Sequence, residues 1–585
     1  MRRRPLDPTT SAYFLIGGLV AAAIGGLWVT RQVSAWLVTG DWLRGPAAAP
    51  ATMVGDLFAG RMQWSGLQQT VGISYAVLLV AALLSAMYWS NRRANRHKTL
   101  RGKAAKLGTG KDMSYRAARD KAKAGKLVGK GVEPGLLLAR TMAGRQEIYS
   151  AWREGVVVIM GPGGRKTTGL ATPLILSAPG AVFATSNKRD VADQIRATRE
   201  TVGRFWCFDL QGIANYLTGP LPDWWWNILT YVRDETRALE LASMFASTAK
   251  SGKKPGGSDS DFFEEAGKHL LARLLHAAAI SGRHVDQVFL WLSDEKEREP
   301  VALLEAAGYR LPAAGLQHTY NSPPEQRGGV FATARGFVEF LENKQALAWI
   351  TPLGPDDRRP QFDPERFVRS AHDTLVMLSK EGNGSMGPVT SALTKAVLDS
   401  AEEYAQDCGG RVEVPLLGML DEAANCAKIS DLPDKYSFYG GMGIHPVTIL
   451  QSPNQGIAVW GETGWKKLWD SATIRMVGNG VKDMNFLRDL AAQGGPEDIV
   501  RWNVSSGRGR SGYSTTSNTT REDILSPADL ANMSPGDVYI VHNNGSAPVL
   551  ARVVPYWERG KQMAAAVEAS KSLYHPGKNK AGAAA

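Results

Sequence analysis

A lysine and a threonine set behind a run of glycines, Gly161-Pro162-Gly163-Gly164-Arg165-Lys166-Thr167-Thr168, have the chemistry to hold a nucleoside triphosphate such as ATP. Glycines let successive backbone N–H groups turn toward phosphate oxygens, and a helix starting here adds its positive dipole end. Lys166 would reach the β- and γ-phosphates, and the Thr167 hydroxyl would ligate Mg2+. The loop departs from GxxxxGK[ST] twice: it is one residue short, and Arg165 stands where glycine precedes the lysine. An arginine there would strain the turn, fill phosphate space, or add a phosphate ligand. Read alone, the segment also suits an ordinary glycine turn between strand and helix.

The second half of such a site lies about 250 residues downstream, where Asp421-Glu422 follows an apolar run. Asp421 is placed to join the magnesium shell and Glu422 to polarise an attacking water. Acids after an apolar run also suit a helix N-terminus, so the pair takes its meaning from the Lys-Thr loop. Gln451, closing Val447-Thr448-Ile449-Leu450, is placed to sense the γ-phosphate or simply to cap a strand.

Each of these groups needs a strand end to hold it. Val156 to Met160 is a short, mostly β-branched run of the kind that makes a buried parallel strand, and Gly169 to Leu176 reads as the helix after the loop. Leu416–Leu420, Val447–Leu450, Ala181–Thr185, Phe205–Phe208 and Thr374–Leu378 read as further strands, interleaved with helical stretches. That alternation predicts an α/β fold with a mostly parallel, doubly wound sheet and the site at the strand carboxyl ends. Asp261–Leu292 and Phe331–Leu347 have helical period and interrupt the strands. Asp537–Val541 and Val549–Val554 read as closing strands. The Gly/Ser-rich stretch Ser505–Thr520, with Arg501 beside it and Arg508 and Arg510 within it, reads as a loop, and residues from about 560 as a flexible tail.

Composition bounds the rest. At 585 residues and 44% hydrophobic content the chain has ample material for packed cores. Cys207, Cys408 and Cys426 lack the spacing of a disulfide framework or a zinc site. The net charge of +12 is local: residues 91–130 hold fourteen Lys/Arg against Asp112 and Asp120, so the remainder is about neutral. Ala12–Thr30 and Val71–Trp89 are uncharged runs of nineteen residues, each about 28 Å as a helix, close to the hydrocarbon thickness of a bilayer. Arg2, Arg3 and Arg4 precede the first, and Arg92, Arg93, Arg96, Lys98 and Arg101 follow the second. By the positive-inside rule both flanks lie in the cytoplasm, which predicts two membrane spans with both termini cytoplasmic. The basic stretch is then first a topology signal and an anionic-lipid contact, with a DNA role as an addition.

With these segments in hand, the chain resembles the type IV coupling proteins, the TraG/TraD-like ATPases of conjugation and type IV secretion. The likeness rests on two N-terminal spans, the Gly-Pro to Lys-Thr-Thr loop, ATSNKRDV (Ala184–Val191), FDLQG (Phe208–Gly212), WWWNIL (Trp224–Leu229), LSKEGNGSMGP (Leu378–Pro388), LDEAAN (Leu420–Asn425) and ILQS (Ile449–Ser452). It implies a RecA-like P-loop NTPase domain with an inserted all-α domain, and a homo-hexameric ring in the bacterial inner membrane. It further implies a motor that uses ATP to bring relaxase-bound single-stranded DNA to the components of a secretion channel. In such rings a neighbour's arginine serves the nucleotide, and Arg475 is the candidate here, a surface arginine being the plainer account. The expected organisation is a membrane anchor over 1–91, a basic linker over 92–135, motor parts over 136–250 and 351–560, an all-α insert over 251–350, and a tail over 561–585. Two other readings fit the same residues. One is a membrane docking receptor that does not hydrolyse nucleotide, motivated by Arg165; the other is a double-stranded DNA translocase, which usually carries a winged-helix tail longer than the sequence after Pro555.

Overall fold

Short β-branched and aromatic runs become strands because their side chains pack on both faces of a pleated layer. In chain order these are β1 (Gly135–Thr141), β2 (Glu147–Ala151), β3 (Val156–Ile159), β4 (Val182–Ser186), β5 (Phe205–Phe208), β6 (Thr374–Leu378), β7 (Leu416–Leu420), β8 (Ile444–Leu450), β9 (Ile474–Gly478), β10 (Pro496–Ser506), β11 (Tyr513–Asp523), β12 (Asp537–His542) and β13 (Val549–Val553). The structure, a computed structural model, describes residues 8–44, 49–50, 52, 54, 56, 59, 65–108, 133–214, 221–249, 258–380, 386–426, 428–506 and 513–574. It falls into two units, Met1–Lys103 with Gly495–Ile524, and Ala104–Gly494 with Leu525–Ala585.

The larger unit holds an eleven-stranded sheet in the order β2-β1-β13-β12-β9-β3-β8-β7-β4-β6-β5. From β9 to β5 every neighbour is parallel, and the flank β12-β13-β1-β2 is antiparallel. The sheet is therefore mixed rather than mostly parallel throughout. β1 and β2 escape a reading of apolar runs because Arg140 and Glu147 sit within them, paired at 2.9 Å. The parallel strands β3, β4, β6, β7 and β8 are buried along their whole length.

Between β5 and β6 the described chain from Glu235 to Arg369 is helical, broken only by turns and an isolated bridge of Trp225 to Gln361. It belongs to the same unit as the sheet. An aromatic cluster fastens it there: Trp224 lies 5.2 Å from Trp206, 5.4 Å from Phe208 and 5.3 Å from Trp349. Offset and edge-on contacts of this kind add to the burial of large apolar area. Arg199 fixes the amino ends of β4 and β6, donating from Nε to Thr374 Oγ1 at 2.7 Å and from Nη2 to the carbonyls of Gly180 and His372.

Three expectations change. Of the expected Ser505–Thr520 loop, the described residues 505–506 and 513–520 are instead strand, β10 pairing β11 from Pro496↔Asp523 to Ser506↔Tyr513, while 507–512, with Arg508 and Arg510, lie outside the described residues. Alternating Ser and Thr read as loop by composition, yet Thr is β-branched and accepts a strand. The hairpin also groups with the N-terminal unit rather than with the motor part expected over 351–560. The tail is a helix, Lys561–Tyr574, with Val567 and Ser570 fully buried and Ser570 Oγ donating to the Asp193 carbonyl at 2.6 Å. Residues 575–585 of that expected tail, and the linker over 109–132, lie outside the described residues.

The third change concerns the membrane spans. Helices Pro8–Thr39 and Gly66–Lys98 run through both windows, with Tyr75 Oη donating to the Ala22 carbonyl at 3.1 Å. Among the described residues, however, no helix is long and apolar enough to cross a membrane. The side chains of residues 11–17, 19–20 and 86–98, which include parts of both windows, are outside the description.

The aromatic fastening yields a prediction. Trp224→Ala should lower unfolding stability by about 3–5 kcal/mol, as for other fully buried aromatic truncations, measured by denaturant melts of the protein.

Candidate functional site

The parallel register places three loops side by side. β8 lies between β3 and β7, with Ile159 opposite Leu450 and Leu420 opposite Thr448. The Gly161 loop, Gln451 and Asp421-Glu422 therefore leave adjacent carboxyl ends, where a doubly wound sheet binds its ligand.

The glycine loop is built for close backbone approach. A Cβ on Gly161 would lie 2.9 Å from the Gly480 Cα, and one on Gly164 2.3 Å from Met160 Cγ. Gly161 N donates to the Asn479 carbonyl at 2.9 Å, so the loop after β9 forms a floor under the glycines. Gly163 and Arg165 both have positive φ, 72° and 68°. Arg165 thus adopts the left-handed backbone that glycine would take at no cost, a strain of order 1 kcal/mol for a side-chain-bearing residue. Its side chain is exposed and passes beside Gly536, where a Cβ would meet Arg165 Cδ at 3.2 Å.

Lys166 opens the helix. Thr167–Ala171 is a π-turn with Thr167 and Thr168 at its head, continuing as Thr172–Ser177. Pro173 has no N–H to offer the Gly169 carbonyl that an α-helical ladder would address. Arg559 fills the gap, donating from Nη2 to Gly169 O at 3.0 Å. Burial pulls the Arg559 guanidinium down to about 10, with Arg140 adding to the shift.

Across the site, Glu422 has a positive φ of 55° and its carboxylate is 6% exposed. Its Oε1 accepts from Lys166 Nζ at 3.2 Å and from Gln451 Nε2 at 2.6 Å. Asp421 is held by its backbone, with Thr185 Oγ1 of β4 donating to its carbonyl at 2.9 Å. Its side chain is buried, and among the described residues Oδ1 has no hydrogen-bond partner. Desolvation raises the Asp421 carboxyl to about 6, opposed by Lys166 and reinforced by Glu422. A buried carboxylate oxygen left open beside a threonine-headed helix is what a magnesium ion needs of its protein ligands, most of its shell being phosphate and water. Asp421 and Thr167 therefore fit Mg2+, and the glycine loop with Lys166 fits a polyphosphate.

The structure thus brings together the glycine loop, Lys166, Glu422 and Gln451, with Asp421 behind them. Arg475, expected to serve a neighbouring copy's nucleotide, is not among them. That residue lies at the amino half of β9 opposite Val157, where Nη2 donates to Asn543 Oδ1 at 3.0 Å and Nη1 sits 3.8 Å from Asp470. Residues with no signal in the sequence also support the site: Asn479, Gly480 and Arg559 act through backbone carbonyls or close approach, which no motif encodes, and Thr185, within ATSNKRDV, acts on the Asp421 carbonyl.

The geometry defines a class, an α/β fold whose mixed sheet carries a glycine-rich loop at the carboxyl end of β3. Within it, residues 415–535 match the family model described as the TraM recognition site of TraD and TraG. The chain is 19% identical over 428 residues to the type IV secretion system-coupling protein VirD4 of Bartonella quintana, covering 70% of this chain and 64% of that one. The VirD4 of Bartonella henselae is 20% identical over 431 residues, with 71% and 64% covered. The chain thus spans somewhat under two thirds of the length of these relatives. Among solved structures, unbound conjugative coupling protein TrwBdeltaN70 superposes with a TM-score of 0.51 at 16% identity, covering 73% of this chain and 91% of that one. Plasmid coupling protein TrwB in complex with ADP and Mg2+ gives 0.50 at 16% identity, with 73% and 92% covered. The chain is thus similar to the type IV coupling proteins, and its sheet is that of the TrwB fold.

Two predictions follow from the Asp421 environment and from Arg559. A carboxyl raised from 3.8 to about 6 binds its proton more tightly folded than unfolded, so it favours the fold below pH 4 and loses that contribution as pH climbs through 6. Asp421→Asn should therefore stabilise the metal-free protein at pH 7.5 by on the order of 2 kcal/mol, while abolishing Mg2+-dependent tightening of nucleotide; melts with and without Mg2+ check both. Arg559→Met should leave the Gly169 carbonyl unpaired and cost about 1–3 kcal/mol in the same melts.

Proposed function

We propose that the chain is a membrane-attached coupling ATPase that binds ATP with Mg2+ and uses turnover to bring a relaxase-bound single-stranded DNA to a type IV secretion channel. The observation that carries the nucleotide step is the meeting of Lys166, Glu422 and Gln451 on one carboxylate oxygen at adjacent strand ends. The coupling role is supported by the likeness to the VirD4 proteins and to TrwB. A ring of six is the assembly expected by that likeness. Attachment to the membrane is supported by the apolar side chains of Ile73, Val77, Leu78 and Leu84, which are all exposed on the helix Gly66–Lys98, and by the basic flanks of both helices.

Mechanistically, the glycine N–H groups would cradle the phosphates, Lys166 would bridge the β- and γ-oxygens, and Asp421 with Thr167 would hold the metal. Mg2+ would supply charge neutralisation across the β- and γ-phosphates. Lys166 and Glu422 neutralise one another without nucleotide. A phosphate would compete for the ammonium, and Glu422, released from Lys166 yet still held by Gln451, would orient and deprotonate the attacking water. The Lys166 swap therefore couples phosphate arrival to exposure of the base.

Arg165 supports a second reading, a docking receptor without turnover, because it holds a left-handed backbone where the loop favours glycine. The two readings separate by experiment. In the coupling ATPase, Glu422→Gln should retain ATP binding and lose DNA-stimulated hydrolysis by about 100-fold or more, whereas Lys166→Ala should lose binding. Absence of DNA-stimulated hydrolysis in the natural protein, with Glu422→Gln indistinguishable from it, would overturn the reading. If nucleotide binding appears only in Arg165→Gly, the docking receptor stands in its place.

A further inference from the structure

The helical run between β5 and β6 forms an open cleft of about 410 Å3, within the size range of small-molecule sites. It lies among the helices Glu235–Ala249, Ser258–Ile280 and Arg310–Asn321. Leu239, Leu311 and Pro312 give it an apolar wall, and Glu235 stands at its side. Leu311 is 86% exposed, at the open side of the cleft.

Three polar groups of one helix line this space, His269, which faces Glu265 at 3.4 Å, and two that lie deeper, Arg273 and His276. His276 is 1% exposed, and among the described residues neither Nδ1 nor Nε2 has a hydrogen-bond partner. Its ring is instead edge-on to Tyr309 at 4.3 Å between centroids. A buried imidazole with both nitrogens unmet loses its hydration without compensation. Arg273, three residues earlier and so on the same helix face, is half-buried, and its Nη1 donates weakly to the Gly315 carbonyl at 3.3 Å. A Cβ on Gly315 would lie 2.7 Å from Arg273 Nη2 and 2.9 Å from Nε. Glycine inside a helix costs up to about 1 kcal/mol relative to alanine, and here it clears the berth in which the guanidinium lies flat. The backbone is thus shaped around the position of this arginine.

A guanidinium fork beside an imidazole donor, under an apolar wall, matches a planar anion on a hydrocarbon stem better than a hydrated inorganic ion. We propose that this cleft binds a carboxylate carried on a short apolar body, with Arg273 pairing the two carboxylate oxygens, His276 donating to one of them, and the stem lying against Leu239, Leu311 and Pro312. The ligand is a free organic acid or the end residue of a peptide chain, which present the same group.

Isothermal titration of the full-length protein with hexanoate at neutral pH tests this, with hexanamide as the uncharged match. Saturable heat with hexanoate and none with hexanamide is expected. Arg273→Gln and His276→Leu should each weaken hexanoate by at least ~10-fold, and Gly315→Ala, which displaces the guanidinium, should do so with the arginine still present. Thermal melts confirm that each variant is folded, and Gly315→Ala gives the readout if Arg273→Gln is not. Competition by a leucine-ended pentapeptide only when its C-terminus is free assigns the carboxylate to a chain end; no competition assigns it to a free acid. Equal binding of hexanamide, unchanged hexanoate affinity in folded Arg273→Gln and Gly315→Ala, or no saturable heat from hexanoate or the pentapeptide would each overturn the proposal.

Discussion

One carboxylate oxygen, Oε1 of Glu422, receives both an ammonium from the glycine loop of β3 and an amide from the end of β8. Its neighbours are contributed by strands adjacent in space but far apart in sequence, so the arrangement depends on the parallel register of β3, β8 and β7. A slip of one residue in any of these strands would turn its side chains to the other face. The register is secured because these strands are buried on both sides, where few alternative pairings keep every side chain apolar. A charged pair of low exposure is costly unless each member is answered, and here a second donor answers the carboxylate.

What surrounds the site serves to hold backbone rather than to touch ligand. Thr185 pins the Asp421 carbonyl, the Asn479–Gly480 turn carries the glycine loop, and Arg559 takes the carbonyl that Pro173 leaves unmet. The helix Lys561–Tyr574 continues from that arginine and lies on the helix Asp190–Glu200, with Arg189 donating to the Tyr574 carbonyl at 2.9 Å. The glycine loop is therefore braced from its own strand, from β9 and from the far end of the unit.

Much of the parallel core is legible in the sequence because fully buried strands leave an unbroken apolar trace: β5 and β6 lie where the runs Phe205–Phe208 and Thr374–Leu378 mark them. Lys166, Glu422 and Gln451 are legible for a related reason, since a polar group directly after such a trace has one place to go. The antiparallel flank is less so. Arg140 and Glu147 pair with each other across β1 and β2, and that contact cannot be seen one strand at a time. The β10–β11 hairpin hides behind Ser, Gly and Thr, whose composition speaks for loops. Arg475 pairs within its own chain with Asp470 and Asn543, contacts that the sequence around it does not announce.

The pairing of β1 with β13, Ala139 opposite Val553, also bears on how the protein is made. The glycine loop leaves the ribosome early, whereas β7, β8 and then the flank that closes the sheet emerge only after the long helical run. Contacts so distant in sequence close late and expose strand edges while they wait. A nascent chain would therefore carry the glycine loop with no acidic partner until the long helical run and β7 have been made, which makes its growing sheet a natural client for chaperones.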